Sequence, residues 1–291
     1  MVSSNPLPLP RLVVQHPQLP QPAIAAFGAR LGKAPASAGR GATGPVVAVW
    51  EDADLSRAEV EALAARLQVD AALIPAPARL ADYRLLAFDM DSTLITIECI
   101  DEIADYAGRK AEVAAITEAA MRGEIADFDE SLRRRVALLA GLDHAVLGRV
   151  FDERLRLSSG ATELLAAART HGLKTLLVSG GFTYFTERLQ AQLGLDHAHA
   201  NTLEVVGGKL TGRVLGRILD ADGKAQALRD TCRAIGCSTS DAIVIGDGAN
   251  DLKMMALAGV SVAYRAKPIV RAQTTYALNY CGLDGVLNLL G

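Results

Sequence analysis

From Leu85 onward, short apolar runs alternate with stretches of helical spacing: LLAFDMD (Leu85–Asp91), TLLVSGG (Thr175–Gly181), AIVIGDG (Ala242–Gly248) and VSVAY (Val260–Tyr264). A strand with one wet face alternates apolar and polar residues. These runs do not alternate, so both of their faces must be covered. The pattern predicts an α/β fold with a parallel sheet flanked by helices on both sides. In such sheets ligands bind beyond the carboxyl ends of the strands, which is where Asp89, Asp91, Ser179 and Asp247 fall.

Two carboxylates at the end of a core strand are costly unless a cation or hydrogen bonds meet them. Residues two apart on a strand point the same way, so Asp89 and Asp91 face one pocket if the strand persists through them. Side by side, their charges repel and raise one pKa. A hard cation removes that conflict, and an oxygen-rich site favours Mg²⁺. GDGAND supplies more acid: Asp247 closes the next strand, and Asp251 follows at a helix start. Helix capping is the plain alternative for any one of these aspartates, but it accounts poorly for both acidic loops together. Ser179 with Gly180 and Gly181 makes a hydroxyl-plus-amide turn suited to phosphate, or else a serine cap. Lys224 lies near the start of a helix, where its charge opposes the helix dipole; a solvated surface lysine is its bland reading.

The first 80 residues read as a separate α/β module. RLVVQ (Arg11–Gln15), VVAVW (Val46–Trp50) and AALIPAP (Ala71–Pro77) are strand-like. PAIAAFGARLG (Pro22–Gly32) and VEALAARL (Val60–Leu67) are helix-like, the latter behind Ser56 and Glu59 at capping-box spacing. SAGRGATGP (Ser37–Pro45), small and glycine-rich, reads as a loop. The module is similar to ACT-type regulatory modules. Residues 81–291 form the second unit, interrupted by a helical stretch at about 98–158 that predicts a cap. A further interruption, TLEVVGGKLTGRV (Thr202–Val214), is a hairpin signal about Gly207-Gly208.

Composition narrows the class. The 291 residues are 50% hydrophobic, ample for a packed core. Thirty basic against 33 acidic residues give a formal charge of −3, which argues against a nucleic-acid binder with a broad basic face. The four cysteines (Cys99, Cys232, Cys237, Cys281) form no CxxC pair and read as reduced, structural thiols. The start has no basic region followed by an apolar core, and no uncharged apolar stretch reaches the ~20 residues of a membrane span. The expectation is a cytoplasmic protein with neither nucleic-acid nor membrane partners.

DMDST, SGG, Lys224 and GDGAND occur in the order and spacing of the haloacid-dehalogenase (HAD) superfamily. ECIDEIADYAG, ITEAAMRGEI, ESLRRRVALL and VSGGF resemble its phosphoserine-hydrolysing branch, over Arg84 to Gly291. The resemblance implies a HAD-like, Rossmann-like core with a helical cap inserted after the first motif. It implies Mg²⁺-dependent hydrolysis of O-phospho-L-serine to L-serine and phosphate. By it Asp89 is the nucleophile that becomes an aspartyl phosphate, and Asp91 is the general acid and base. Asp89, the main-chain carbonyl of Asp91, and Asp247 would hold the metal, with Asp251 in support. Ser179, Gly180, Lys224 and Asn250 would bind the phosphate end of the substrate. Glu98 would meet the substrate ammonium and Arg135 its carboxylate, with Met121 and Phe128 lining the apolar side. Arg133 and Arg134 are expected on an exposed helix face; Cys99 and His144 receive no role. The expected partner is a small-molecule substrate, with a homodimer left open.

Other readings stay open. One is hydrolysis or transfer on another small phosphoester, such as phosphohomoserine. Another, of a different class, is a signalling receiver that stores a phosphoryl group on a strand-end aspartate. Receivers lack a general acid two residues beyond the nucleophile and a helical insertion there. A third is a regulatory binding protein dominated by its N-terminal module, which the full catalytic set argues against.

Overall fold

The structure, a computed structural model, describes residues 9–41, 44–75, 78–122, 124–125 and 127–291, without the Met121 side chain. The first module comprises β1 (Arg11–His16), α1 (Gln21–Leu31), β2 (Ser37–Arg40), β3 (Val46–Trp50), α2 (Arg57–Leu67) and β4 (Asp70–Ile74). Its antiparallel sheet has the order β2-β3-β1-β4. Alternation along β1 sorts its side chains: Leu12 and Val14 pack with Phe27 and Trp50, whereas Val13 joins Ala72 and Ile74 in the main core. The expected capping box starts α2, with the Ser56 hydroxyl accepting from the Glu59 amide and the Glu59 carboxylate accepting from the Ser56 amide. The segment Ser37–Arg40, read as loop, is instead the edge strand β2. All four of its residues are exposed, so no apolar pattern marks it; main-chain pairing with β3 makes it a strand.

The second sheet holds β5 (Leu85–Phe88), β6 (Lys174–Phe182), β7 (His197–Val206), β8 (Lys209–Leu215), β9 (Ala242–Gly246), β10 (Val260–Tyr264) and β11 (Tyr276–Leu278). Its order is β11-β10-β9-β5-β6-β7-β8, with every neighbouring pair parallel except β7 and β8. Four helices inserted after β5 form the cap: α3 (Cys99–Tyr106), α4 (Lys110–Met121), α5 (Phe128–Ala137) and α6 (Ala145–Arg149). The chain returns through α7 (Ala161–Thr170), and α8 (Thr183–Leu193) follows β6. After β8 come α9 (Ala221–Ile235), α10 (Leu252–Met255), α11 (Pro268–Arg271) and α12 (Gly285–Leu290), interleaved with the remaining strands.

Both faces of the central strands are covered, as their continuous apolar runs require. Leu86, Phe88, Leu177 and Ile245 face the cluster that contains α7 and α8, while Leu85, Ala87, Val178 and Val244 pack with Leu228 and Met254 of α9 and α10. Gly207 and Gly208 turn the β7–β8 hairpin with φ of 58° and 77°, a conformation that glycine adopts without penalty. The hairpin also braces the cap: the Gly141 amide donates to the Leu210 carbonyl (2.8 Å) and the Leu210 amide to the Leu142 carbonyl (2.9 Å).

The two sheets are joined by buried polar contacts. The Asp70 carboxylate accepts from the main-chain N–H groups of Asn279 (2.6 Å), Tyr280 (3.1 Å) and Cys281 (2.8 Å). Gln15 donates to the Gly285 carbonyl (3.0 Å) and accepts from Asn288 (2.7 Å). Such groups are tolerated in an interior because their hydrogen bonds are met. Among the described residues, no helix is long and apolar enough to cross a membrane, and the four cysteines are free thiols.

Candidate active site

The strand that opens the site stops sooner than its sequence suggests. β5 ends at Phe88, so strand alternation does not orient Asp89 and Asp91. A tight turn over Met90–Leu94, which Asp89 caps, carries them instead, with Asp91 extended and Ser92 left-handed at φ 55°. The turn gives each carboxylate its own donors. Asp89 Oδ1 accepts from the Met90 amide at 2.7 Å. Asp91 Oδ1 accepts from the Cys99 amide (2.9 Å) at the N-terminus of α3, and Asp91 Oδ2 from the Ser179 hydroxyl (3.3 Å).

Behind this turn the strand ends converge. One oxygen each from Asp89, Asp247 and Asp251 lie within 4.8 Å of one another. Lys224, only 1% exposed, projects from α9 and bridges Asp89 Oδ1 and Asp251 Oδ1, each at 2.8 Å. Thr93 donates to Asp247 (3.0 Å), and the Gly248 amide donates to Asp251 (3.1 Å). With all three carboxyls ionised, the one ammonium leaves a surplus of two negative charges at the strand ends. An all-oxygen donor set with that surplus fits a hard divalent cation.

The electrostatics report the same crowding. Burial, then the charge of Asp251, lifts the Asp89 carboxyl well above the usual range, with Lys224 opposing. Burial followed by Asp251 carries Asp247 to about 6, with the Thr93 hydrogen bond opposing. Burial also raises Asp91, against the Cys99 amide that stabilises its anion. For Lys224 burial works against the charge, but Asp251 and Asp89 outweigh it and hold the ammonium above the ordinary lysine value.

Ser179 and its glycines form the opposite wall. The Ser179 hydroxyl oxygen accepts from the Gly181 amide at 2.8 Å while donating to Asp91. A Cβ on Gly181 would stand 2.6 Å from Asp91 Oδ2, so a side chain there would displace the acid. One on Gly180 would stand 3.1 Å from the ring of Phe128, which puts the start of cap helix α5 directly over the turn.

The roof carries Glu98, Asp101 and Arg135. Glu98 is exposed as a residue, but its carboxyl end is turned in, accepting from the Ser92 hydroxyl at 2.6 Å in the field of Asp91 and Asp247. Burial and then the charge of Asp91 bring that carboxyl to about 7. Arg135 is half-buried; its guanidinium bonds the Ser131 carbonyl (3.4 Å) and lies in the field of Asp101, Glu98 and Asp91. Arg133 and Arg134 are exposed, as expected, and Arg134 pairs with Glu130.

Of the residues singled out from the sequence, Asp89, Asp247, Asp251 and Lys224 come together, Asp91 bonds Ser179, and Glu98 and Arg135 lie in the field of Asp91. Asp251, expected as support, is part of the three-aspartate cluster. Asn250 is half-buried, with its amide oxygen against Gly248. The Met121 side chain lies outside the described residues. Cys99 contributes through its main-chain N–H, which its side-chain chemistry does not announce. Thr93 stands in the DMDST motif but reads as a capping residue. Asn201, buried on β7 and bonded to the Gly180 carbonyl, carries no local signal.

The chain is similar to known proteins. The haloacid dehalogenase-like hydrolase family model matches residues 86–256. A phosphoserine phosphatase of Polaromonas sp. (strain JS666) is 57% identical over 216 residues, covering 73% of this chain and 92% of that protein. Among solved structures, a HAD family hydrolase from Salmonella enterica serovar Typhi superposes with a TM-score of 0.86 at 33% identity, covering 96% of this chain and 98% of that one. A substrate-bound phosphoserine phosphatase complex superposes with a TM-score of 0.67 at 37% identity, over 72% of this chain and 99% of that one. By the family model over residues 86–256 and the 57% identity to the Polaromonas relative, the chain belongs to the haloacid dehalogenase-like hydrolase family.

Proposed function

We propose that this chain hydrolyses O-phospho-L-serine to L-serine and phosphate, the last step of serine biosynthesis, as a cytoplasmic Mg²⁺-dependent enzyme. The observation that carries the reading is a floor of Asp89, Asp247, Asp251 and Lys224 facing a roof of Glu98 and Arg135. The floor suits a phosphoryl group, and in the roof Glu98 is offered to the ammonium of an amino acid and Arg135, beside Asp101, to its carboxylate. Kinship with phosphoserine phosphatases supports the same substrate. Residues 81–291 form the catalytic unit in this reading, with residues 1–80 as a separate α/β module docked on it.

Asp89 Oδ1 is held by Met90 and Lys224, which leaves attack on phosphorus to Oδ2. The bond from phosphorus to the serine oxygen breaks as the bond to Asp89 forms. A poor alkoxide leaving group needs a proton, and general acids contribute typically ~10²–10⁴-fold. Burial favours the acid form of Asp91 that this donation needs, and hydrogen bonds from Ser179 and Cys99 hold its carboxyl in place. As a carboxylate it then takes a proton from water, which attacks the aspartyl phosphate and restores Asp89. Asp89, the main-chain carbonyl of Asp91, and Asp247 would hold Mg²⁺, whose bound charge offsets that of the phosphoryl oxygens. Lys224 and the Ser179–Gly181 turn supply the remaining positive and N–H groups, with Asn250 beside them.

Phosphate release from phosphoserine, phosphothreonine, phosphohomoserine and sugar phosphates, with and without Mg²⁺, tests this. Strong preference for phosphoserine with Mg²⁺ is expected. Faster release from a sugar phosphate would remove the amino-acid assignment, and equal rates with phosphohomoserine would remove the choice of chain length.

A further inference from the structure

Asn201 is 2% exposed on β7, and both ends of its side chain are used. Its Nδ2 donates to the Gly180 carbonyl (2.8 Å), and its Oδ1 accepts from the Leu219 amide (2.7 Å). A carbonyl can only accept and an amide N–H only donate, so these partners fix the orientation of the Asn201 amide. The residue lies where the pairing of β6 and β7 shifts register, between Val178 and Phe182.

Each bond leads into the site. The Gly180 carbonyl belongs to the planar peptide whose N–H, on Gly181, donates to Ser179 Oγ. Holding that carbonyl therefore sets the peptide plane, the Ser179 hydroxyl, and through it the hydrogen bond to Asp91. On the other side, Leu219 precedes Asp220, the cap of α9. Asp220 accepts from Gly223 through its side chain and from Lys224 through its carbonyl, each at 2.8 Å. Lys224 then reaches Asp89 and Asp251.

We infer that Asn201 is a positioning residue that fixes the Ser179–Gly181 turn and the Lys224 helix relative to each other, and so shapes the phosphate cradle without touching substrate. The inference rests on the phosphatase reading above. Asn201→Asp keeps the size and the acceptor for Leu219 but replaces the donor with an oxygen that repels the Gly180 carbonyl. Asn201→Ala removes both bonds.

The test titrates inorganic phosphate into the full chain with Mg²⁺ by calorimetry and measures phosphoserine turnover in parallel. Both variants should bind phosphate about tenfold more weakly at unchanged stoichiometry, with kcat lower by a similar factor. Unchanged stoichiometry matters because a merely misfolded fraction would reduce the number of sites and leave Kd alone. If the Ala variant does not fold, the isosteric Asp variant decides the question. Phosphate Kd and kcat within twofold of the parent in a folded variant would overturn the inference. If the parent binds phosphate but releases none from phosphoserine, the substrate reading falls while the phosphate titration still judges Asn201.

Discussion

The floor and the roof of this site handle charge differently. On the floor, Asp89, Asp251 and Lys224 are almost wholly buried and bonded to one another or to main-chain amides. In the roof, Glu98 and Arg135 remain partly open to water, tied by Ser92 and by a long bond to the Ser131 carbonyl. A buried charge without fixed partners is costly, so the groups that carry the reaction are immobilised by their surroundings. Groups that select a ligand must exchange water for it, and partial exposure keeps that exchange cheap. The floor should therefore govern the rate and the roof the affinity.

That division can be broken from either side. The largest expected effect is on the floor: Asp89→Asn should lower turnover more than about 10⁴-fold while the protein stays folded. Near-normal phosphate release from that variant, with an unchanged melting curve, would exclude attack through this residue. Next, Arg135→Ala should raise KM for phosphoserine about 10–100-fold, as expected for a lost charge-assisted pair, and change kcat little. A fall in kcat at constant KM would move Arg135 to the chemical step.

The smallest effect is one of pH. Glu98 must be ionised to meet an ammonium, and its carboxyl titrates at about 7. Because its value is raised, protonation persists to higher pH, so kcat/KM should climb as pH rises through about 7. Glu98→Gln should erase that limb and leave the one near pH ~6 that belongs to the phosphate ester itself. An unaltered profile in Glu98→Gln would detach Glu98 from the substrate.

How much of this is legible in the sequence depends on how far apart in the chain the partners lie. The strands, their order of use and the acidic ends are legible because apolar runs and motif residues are local signals. β2 is not, since Ser37–Arg40 is exposed throughout and owes its form to pairing with β3. The turn that carries Asp89 and Asp91 is hidden because its left-handed residue, Ser92, is of a type that rarely adopts that conformation. Thr93 finds Asp247 at a separation of 154 residues, and Asn201 finds Gly180 on the neighbouring strand. Neither partnership leaves a periodic trace.

The clasp between the first sheet and the end of the chain bears on how the molecule is made. Gln15 meets Gly285 and Asp70 meets Cys281, separations of 270 and 211 residues. At a synthesis rate of roughly 5–20 residues per second, β1 and β4 wait on the order of 10–50 s for the backbone they bind. During that interval Val13, Ala72 and Ile74 have no C-terminal segment to cover them. The beginning of the newborn chain therefore stays exposed to aggregation until its last helix is made.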